Sequence, residues 1–163
     1  MTKEEPRAGR PDIVDYGIKP EDQGVLLPWA GVQAAMEAAR NYWVSTTRPD
    51  GRPHATPVWG IWLEGVFMFA AGRSSRKSRN LAANPAVAVH LESGDDVVIL
   101  EGVVEELEDS DLAGRYADAY EAKYQFRPDP ADPDSVTYVL RPGKAFAWRE
   151  KDYPDSATRW LFD

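Results

Sequence analysis

The stretch Gly72-Arg73-Ser74-Ser75-Arg76-Lys77-Ser78-Arg79-Asn80-Leu81 decides how this chain is read. It follows the apolar run Val66-Phe67-Met68-Phe69-Ala70-Ala71, which has the composition of a short buried strand, and it leads to Asn84-Pro85, a helix stop. A strand that turns through Gly72 into a Ser-capped helix presents free backbone N–H groups at the helix start. Those groups and the helix dipole favour an anion there. Arg73, Arg76, Lys77 and Arg79 crowd the same place, and no Asp or Glu occurs between Glu64 and Glu92. On charge alone a solvated basic face explains such a run equally well. Two details favour a ligand. The cations sit at the helix end where the dipole disfavours them unless an anion intervenes, and the hydroxyls of Ser74, Ser75 and Ser78 lie among them. The expectation is a phosphate site.

The local excess of positive charge stands against a net charge of -8 over 163 residues. An acidic chain of this kind, with pI near 4.8, lacks the broad basic face that nucleic acid demands. A hydrophobic content of 43% beside 28% charged residues fits one soluble globular domain. Cysteine is absent, which removes disulfides, thiolate metal sites and thiol nucleophiles. With no signal-like apolar segment and no run approaching a membrane span, the expected location is cytoplasmic, without a membrane partner.

Around the basic stretch the chain reads as short strands with few helices. Residues 1–27 are rich in charge, Pro and Gly, and are expected as a loose or extended arm before a single domain at 28–163. From Pro28, the positions Trp29, Val32, Ala35, Met36 and Ala39 have helical spacing. Tyr42-Trp43-Val44-Ser45-Thr46-Thr47 is a strand by composition, and Pro49-Asp50-Gly51 turns it into a run over residues 53–63. On that run His54, Thr56, Val58, Gly60 and Trp62 share one face. Pro57 places it at a sheet edge or makes it irregular, and Gly60 permits close approach by another strand or by a flat ligand.

Residues 97–107 are, apart from Glu101, apolar on both faces until Glu105, which suggests a barrel interior on one side and a second layer or subunit on the other. Asp109 and Ser110 cap a helix whose stripe Leu112, Tyr116, Tyr120 and Tyr124 reads as core packing. Residues 127–135 form an acidic, Pro-rich loop, Pro142-Gly143 is read as the turn of a further hairpin, and residues 157–162 as a closing strand. Mostly antiparallel strands with few helices give a mainly β small barrel.

Several chemistries are missing. There is neither a dinucleotide glycine fingerprint nor a P-loop, and no serine sits in a nucleophile elbow. His54 and His90 are the only histidines and lack ligand spacing, so no metal site is expected. His90, within an apolar strand, reads as a hydrogen-bonded core residue. If the chain is an enzyme, a cofactor carries the reaction.

With those residues in view, the chain resembles the pyridoxamine 5'-phosphate oxidase-like split β-barrel superfamily of flavin and deazaflavin proteins. The likeness rests on Ser75-Arg76-Lys77-Ser78-Arg79-Asn80-Leu81-Ala82-Ala83-Asn84-Pro85, on Pro53-His54-Ala55-Thr56-Pro57-Val58-Trp59, and on the ending Ala157-Thr158-Arg159-Trp160-Leu161-Phe162. That ending is similar to the branch using the deazaflavin coenzyme F420. The resemblance implies a homodimer with cofactors at its interface. It also implies Arg76 and Lys77 on the cofactor phosphate, the backbone of Thr56, Pro57, Val58 and Trp59 against the ring, and Ser75 and Asn80 in support. Arg73 and Arg79 suit an acidic cofactor tail or solvent. A basic C-terminal signature for vitamin B6 substrates is missing, so that activity is not implied.

The expected function is an oxidoreductase passing a hydride from reduced F420 to a small unsaturated acceptor. Alternatives are an FMN-dependent oxidoreductase of the same fold, a non-catalytic flavin carrier or sensor, and a barrel for another phosphorylated metabolite. His54 is the candidate proton donor, because it titrates near neutrality and flanks the ring strand.

Overall fold

The computed structural model describes residues 5–163. In chain order it runs β1 (Arg7–Gly9), α1 (Trp29–Ala38), β2 (Tyr42–Thr47), β3 (Pro53–Val58), β4 (Ile61–Leu63) and β5 (Val66–Gly72). Then follow α2 (Arg76–Ala83), β6 (Ala86–His90), β7 (Asp96–Glu106), α3 (Ser110–Tyr124), β8 (Ser135–Arg149) and β9 (Thr158–Leu161). The strands make one 9-stranded sheet in the order β1-β9-β8-β7-β6-β2-β3, with β5 pairing both β4 and β8. Every ladder is antiparallel. The mainly β split barrel expected from the strand pattern is the architecture that forms.

Alternation builds the interior. Along β2, Tyr42, Val44 and Thr46 are buried while Trp43, Ser45 and Thr47 are half-exposed. Tyr42, Val44, Phe67, Phe69, Val89, Leu100, Leu140 and Trp160 close one core inside the barrel. A second, smaller core joins Ile61, Val66, Met68 and Val139 to the stripe Leu112, Tyr116, Tyr120 and Tyr124 of α3. The strand buried on both faces is therefore β5, which sends Phe67 and Phe69 inward and Val66 and Met68 under α3. On β7 the outer face stays partly open instead: Val97 and Ile99 are half-buried and Val103 is 55% exposed. Within the chain α3 covers β4, β5 and β8 and not β7, whose outer face keeps the second-subunit alternative of the expectation.

Two further expectations are corrected. The run over 53–63 is interrupted at Trp59-Gly60, so β3 and β4 are separate strands with different partners. Pro142-Gly143 does not turn the chain. Instead β8 is one 15-residue strand, with a register shift opposite Glu101 and Gly102 that leaves Gly143 as an extra residue. At that bulge β8 changes its second neighbour from β5 to β9 while β7 stays on its other side, and this opens the barrel into its split form.

The segment expected as a loose or extended arm is anchored at Arg7–Gly9, Arg10 and Ile18; residues 1–4 lie outside those described. β1 pairs with β9, and Ile18 is buried. Arg10 is buried as well, because its guanidinium donates to the carbonyls of Pro154, Asp155 and Ala157 at 2.8–3.0 Å. No helix among the described residues is long and apolar enough to cross a membrane.

Candidate functional site

β5 ends at Gly72, and two residues of turn lead to Ser75, the extended N-cap of α2. The Ser75 Oγ accepts from the Ser78 N–H at 3.2 Å and donates to the Ser78 hydroxyl at 3.1 Å. This local bond is why the helix begins here, and it leaves the first-turn N–H groups of Arg76 and Lys77 outside the helical ladder. Among the described residues Arg76, Lys77 and Arg79 form no ion pair, although the chain pairs many other arginines. Burial holds the Lys77 amine below its ordinary value. Arg73 behaves differently. Its guanidinium meets Glu106 through two contacts of 3.2 Å, and its N–H donates to the Asp134 carbonyl at 2.8 Å.

The β2–β3 register brings further polar groups to this helix. Thr46 lies opposite His54 and Val44 opposite Thr56, so His54 and Thr56 share the inner face with buried Thr46. From α2, the Asn80 side-chain amide donates to Thr46 Oγ1 at 2.9 Å, and Asn80 is fully buried. Three buried polar atoms in this group lack a hydrogen-bond partner among the described residues: His54 Nδ1, Thr56 Oγ1 and Asn80 Oδ1. Unpaired buried polar atoms of this kind are costly. The His54 imidazole is pushed below its usual value, first by burial and then by the positive charges of Arg48, Lys77 and Arg76. In the free protein this biases His54 toward its neutral form.

The strand expected to lie against the ring is, in the structure, an edge. β3 ends the sheet path, as Pro57 requires, and Pro57 faces outward opposite Trp43. Val58 turns inward and is buried. Trp59 departs from both. Its indole stacks on Tyr124 at 4.6 Å with an interplanar angle of 5°, and the Arg40 guanidinium lies 5.2 Å from its centre. Gly60 is closed by protein: a Cβ there would strike the Phe67 ring and lie 2.9 Å from the Met68 carbonyl. Of the two readings of Gly60, close approach by another strand is the one realised.

The structure thus gathers Ser75, Arg76, Lys77, Asn80, His54 and Thr56, places Pro57 and Val58 beside them on β3, and sends Arg73 and the Trp59 side chain elsewhere. Thr46 and Arg48 belong to the group and were not picked out from sequence. The signal was present, since the Pro49-Asp50-Gly51 turn fixes which β2 residues oppose His54. Tyr124 also does more than pack: it accepts from the Gly60 N–H at 3.1 Å and donates to the Arg40 carbonyl at 2.7 Å, fixing the break between β3 and β4.

Solved structures share this fold. The solved structure of a conserved hypothetical protein from Mycobacterium tuberculosis matches with a TM-score of 0.67 at 23% identity, over 80% of this chain and 89% of that one. A protein described as an F420 reductase matches with a TM-score of 0.56 at 28% identity, over 69% of this chain and 94% of that one. General Stress Protein 26 from Bacillus anthracis matches with a TM-score of 0.60 at 25% identity, over 72% of this chain and 91% of that one. No curated protein matches the chain. The sequence profile described as pyridoxamine 5'-phosphate oxidase covers residues 30–149, spanning every element of the site from α1 to the end of β8, and the chain belongs to that family.

Proposed function

We propose that this protein is an oxidoreductase that uses the deazaflavin coenzyme F420 to pass a hydride to a small unsaturated organic acceptor. The observation that carries the reading is the start of α2, where Arg76 and Lys77 stand without a carboxylate partner beside the unsatisfied polar atoms of His54, Thr56 and Asn80. The likeness to a protein described as an F420 reductase supports the choice of cofactor.

The residues fit a phosphate-bearing cofactor. Arg76 and Lys77 hold the phosphate with charge-assisted bonds, aided by the first-turn N–H groups. Asn80 positions α2 against Thr46 and offers its free carbonyl oxygen, while Ser75 fixes the helix start. The backbone of Thr56, Pro57, Val58 and Trp59 at the β3 edge lines the ring position. Arg73, engaged by Glu106, falls outside the phosphate set; Arg79, unpaired, suits an acidic tail. The hydride chemistry is the deazaflavin's own when bound; the protein supplies position and charge complementarity. His54 stands beside the phosphate set as a hydrogen-bonding group. It keeps its place as the candidate proton donor, since an anion on Arg76 and Lys77 raises its pKa.

The outer sheet face suits a second copy of the chain. The register lines up Pro57, Trp43, His90, Ile99 and Phe146 in one row across β3, β2, β6, β7 and β8. Trp43, His90, Ile99 and Phe146 are each only half-buried. This row is the surface assigned to homodimerisation.

The test is anaerobic oxidation of chemically reduced F420 by cyclohex-2-enone with and without the protein. Multiple turnovers that depend on the protein are expected. Tight F420 binding without turnover leaves a carrier, and binding of FMN but not F420 replaces the cofactor in this reading.

A further inference from the structure

Arg48 follows Thr46 by two residues and so continues the inner face of β2 into the hairpin. Its backbone is fixed on both sides. The Arg48 N–H donates to the Arg52 carbonyl at 2.9 Å, and its own carbonyl accepts from the Gly51 N–H at 2.8 Å. The side chain is anchored too: Nε is buried without a hydrogen-bond partner among the described residues, so the stem and the inner edge of the guanidinium are packed. The terminal nitrogens are not closed off in this way, and they join no ion pair among the described residues. The hairpin's own carboxylate is taken, since Asp50 accepts from the Arg52 N–H at 3.1 Å and from Arg52 Nε at 2.9 Å. Those bonds hold the Asp50 carboxyl below its ordinary value first, and the charge of Arg48 adds to them only after.

The same cation faces α2. Asn80 of α2 is bonded to Thr46 at 2.9 Å, which sets the two elements side by side. From that bond Arg48 lies two residues along the strand direction, roughly 7 Å, and Arg76 lies one helical turn back, about 6 Å. Both steps lead to the same end of the site, because Arg48, Lys77 and Arg76 all act as positive charges on the His54 imidazole, after the effect of burial. Three cations from two elements therefore meet around His54, and no carboxylate among the described residues pairs with any of them. Their mutual repulsion is unfavourable in the free chain, and an anion between them relieves it.

We propose that Arg48 is a third cationic contact to the bound phosphate, closing from the β2–β3 hairpin the cradle that Arg76 and Lys77 open on α2. The inference rests on the reading of the start of α2 as the phosphate site. With Nε closed, the contact is made end-on by the terminal nitrogens, as a charge-assisted bond. It acts on the phosphate and not on the ring, so it selects the phosphorylated cofactor over the same deazaflavin without its phosphate.

The experiment compares wild type with Arg48→Met, which keeps a packed stem and removes the charge. Binding of F420 and of the dephosphorylated deazaflavin is read by fluorescence, and binding of inorganic phosphate by the NMR shift of the His54 imidazole. Arg48→Met should weaken F420 about tenfold or more and inorganic phosphate by a similar factor, and should leave the dephosphorylated deazaflavin unchanged. Arg48→Lys, which restores the charge without the planar fork, should fall between. Arg127→Met, which removes a charge paired with Asp118 and Glu121 on α3, should change none of the three. In the free protein Arg48→Met should move the His54 titration upward. If F420 fails to bind while phosphate binds with this dependence on Arg48, the cofactor reading falls and the third contact stands. If Arg76→Ala with Lys77→Ala loses F420 while Arg48→Met keeps full affinity, the phosphate site stands and the third contact falls. Equal weakening of the phosphorylated and dephosphorylated ligands, or no saturable binding of either F420 or phosphate to the wild type, would also overturn it.

Discussion

The side-chain amide of Asn80 donates to the hydroxyl of Thr46 across 2.9 Å, and both residues are buried. This one bond ties α2, which carries the cationic cradle, to β2, which sets the register of the edge strand β3. Removing either partner leaves the other unsatisfied, so Asn80→Ala and Thr46→Val should each destabilise the protein by about 1–3 kcal/mol in urea unfolding. The double variant should lose less than the sum, with a coupling of about 0.5–3 kcal/mol. Strict additivity would show that the bond does not link the two elements.

Gly60 supports the same corner from the other side. A methyl group there meets the Phe67 ring and the Met68 carbonyl, in a core already closed by Tyr42 and Phe69. Gly60→Ala should cost about 1–3 kcal/mol by overpacking, read as a drop in Tm. An unchanged Tm would mean that β4 and β5 separate more easily than their packing implies.

Lys123 gives the protein a pH signature. Its amine donates to Tyr42 Oη at 2.8 Å and to the Glu37 and Gly60 carbonyls at 3.2 and 3.4 Å, and burial brings its pKa from 10.5 down to about 8. Between those values the unfolded chain binds more protons than the folded one, so stability should rise with pH from about 8 toward 10. Below pH 8 the penalty for burying the charged amine is fully present. Above about 10 the raised hydroxyl of Tyr42 works the other way, because its stabilising neutral form is held only in the folded state. Urea titrations at stepped pH should show the rise in wild type and its loss in Lys123→Met; a flat profile in both would contradict the assignment.

His54 should report anion binding. Burial first, and then the charges of Arg48, Lys77 and Arg76, hold its pKa down in the free protein, so an anion on Arg76 and Lys77 must raise it. By linkage, anion affinity should increase as pH falls through the His54 transition. An NMR titration of the imidazole should give a value below that of an ordinary histidine, moving upward when F420 is added. No movement would place the phosphate away from α2.

Much of this arrangement was legible in the sequence because it is local. Ser75 with Ser78 caps α2, Pro49-Asp50-Gly51 sets the β2–β3 hairpin, and Pro57 marks β3 as an edge. The failures are tertiary. Pro142-Gly143 has turn composition, yet continuous pairing with β7 on both sides keeps β8 straight through a bulge. Trp59 follows the strand alternation on paper, but the break at Gly60 and the ring of Tyr124 draw it onto α3. The N-terminal segment lacks periodicity and still packs, because Arg10 finds three carbonyls near residues 154–157 that no local pattern announces. The lowered pKa of His54 likewise depends on burial and on cations from two other segments meeting it in space.

The central claim is that the start of α2 holds the phosphate of a deazaflavin. The most direct measurement is a fluorescence titration of the purified protein with F420, for wild type and for Arg76→Ala with Lys77→Ala. Each charge-assisted contact contributes about 1.5–3 kcal/mol, so the double variant should lose roughly a hundredfold or more in affinity while keeping its Tm. F420 bound equally tightly by the double variant would contradict the account.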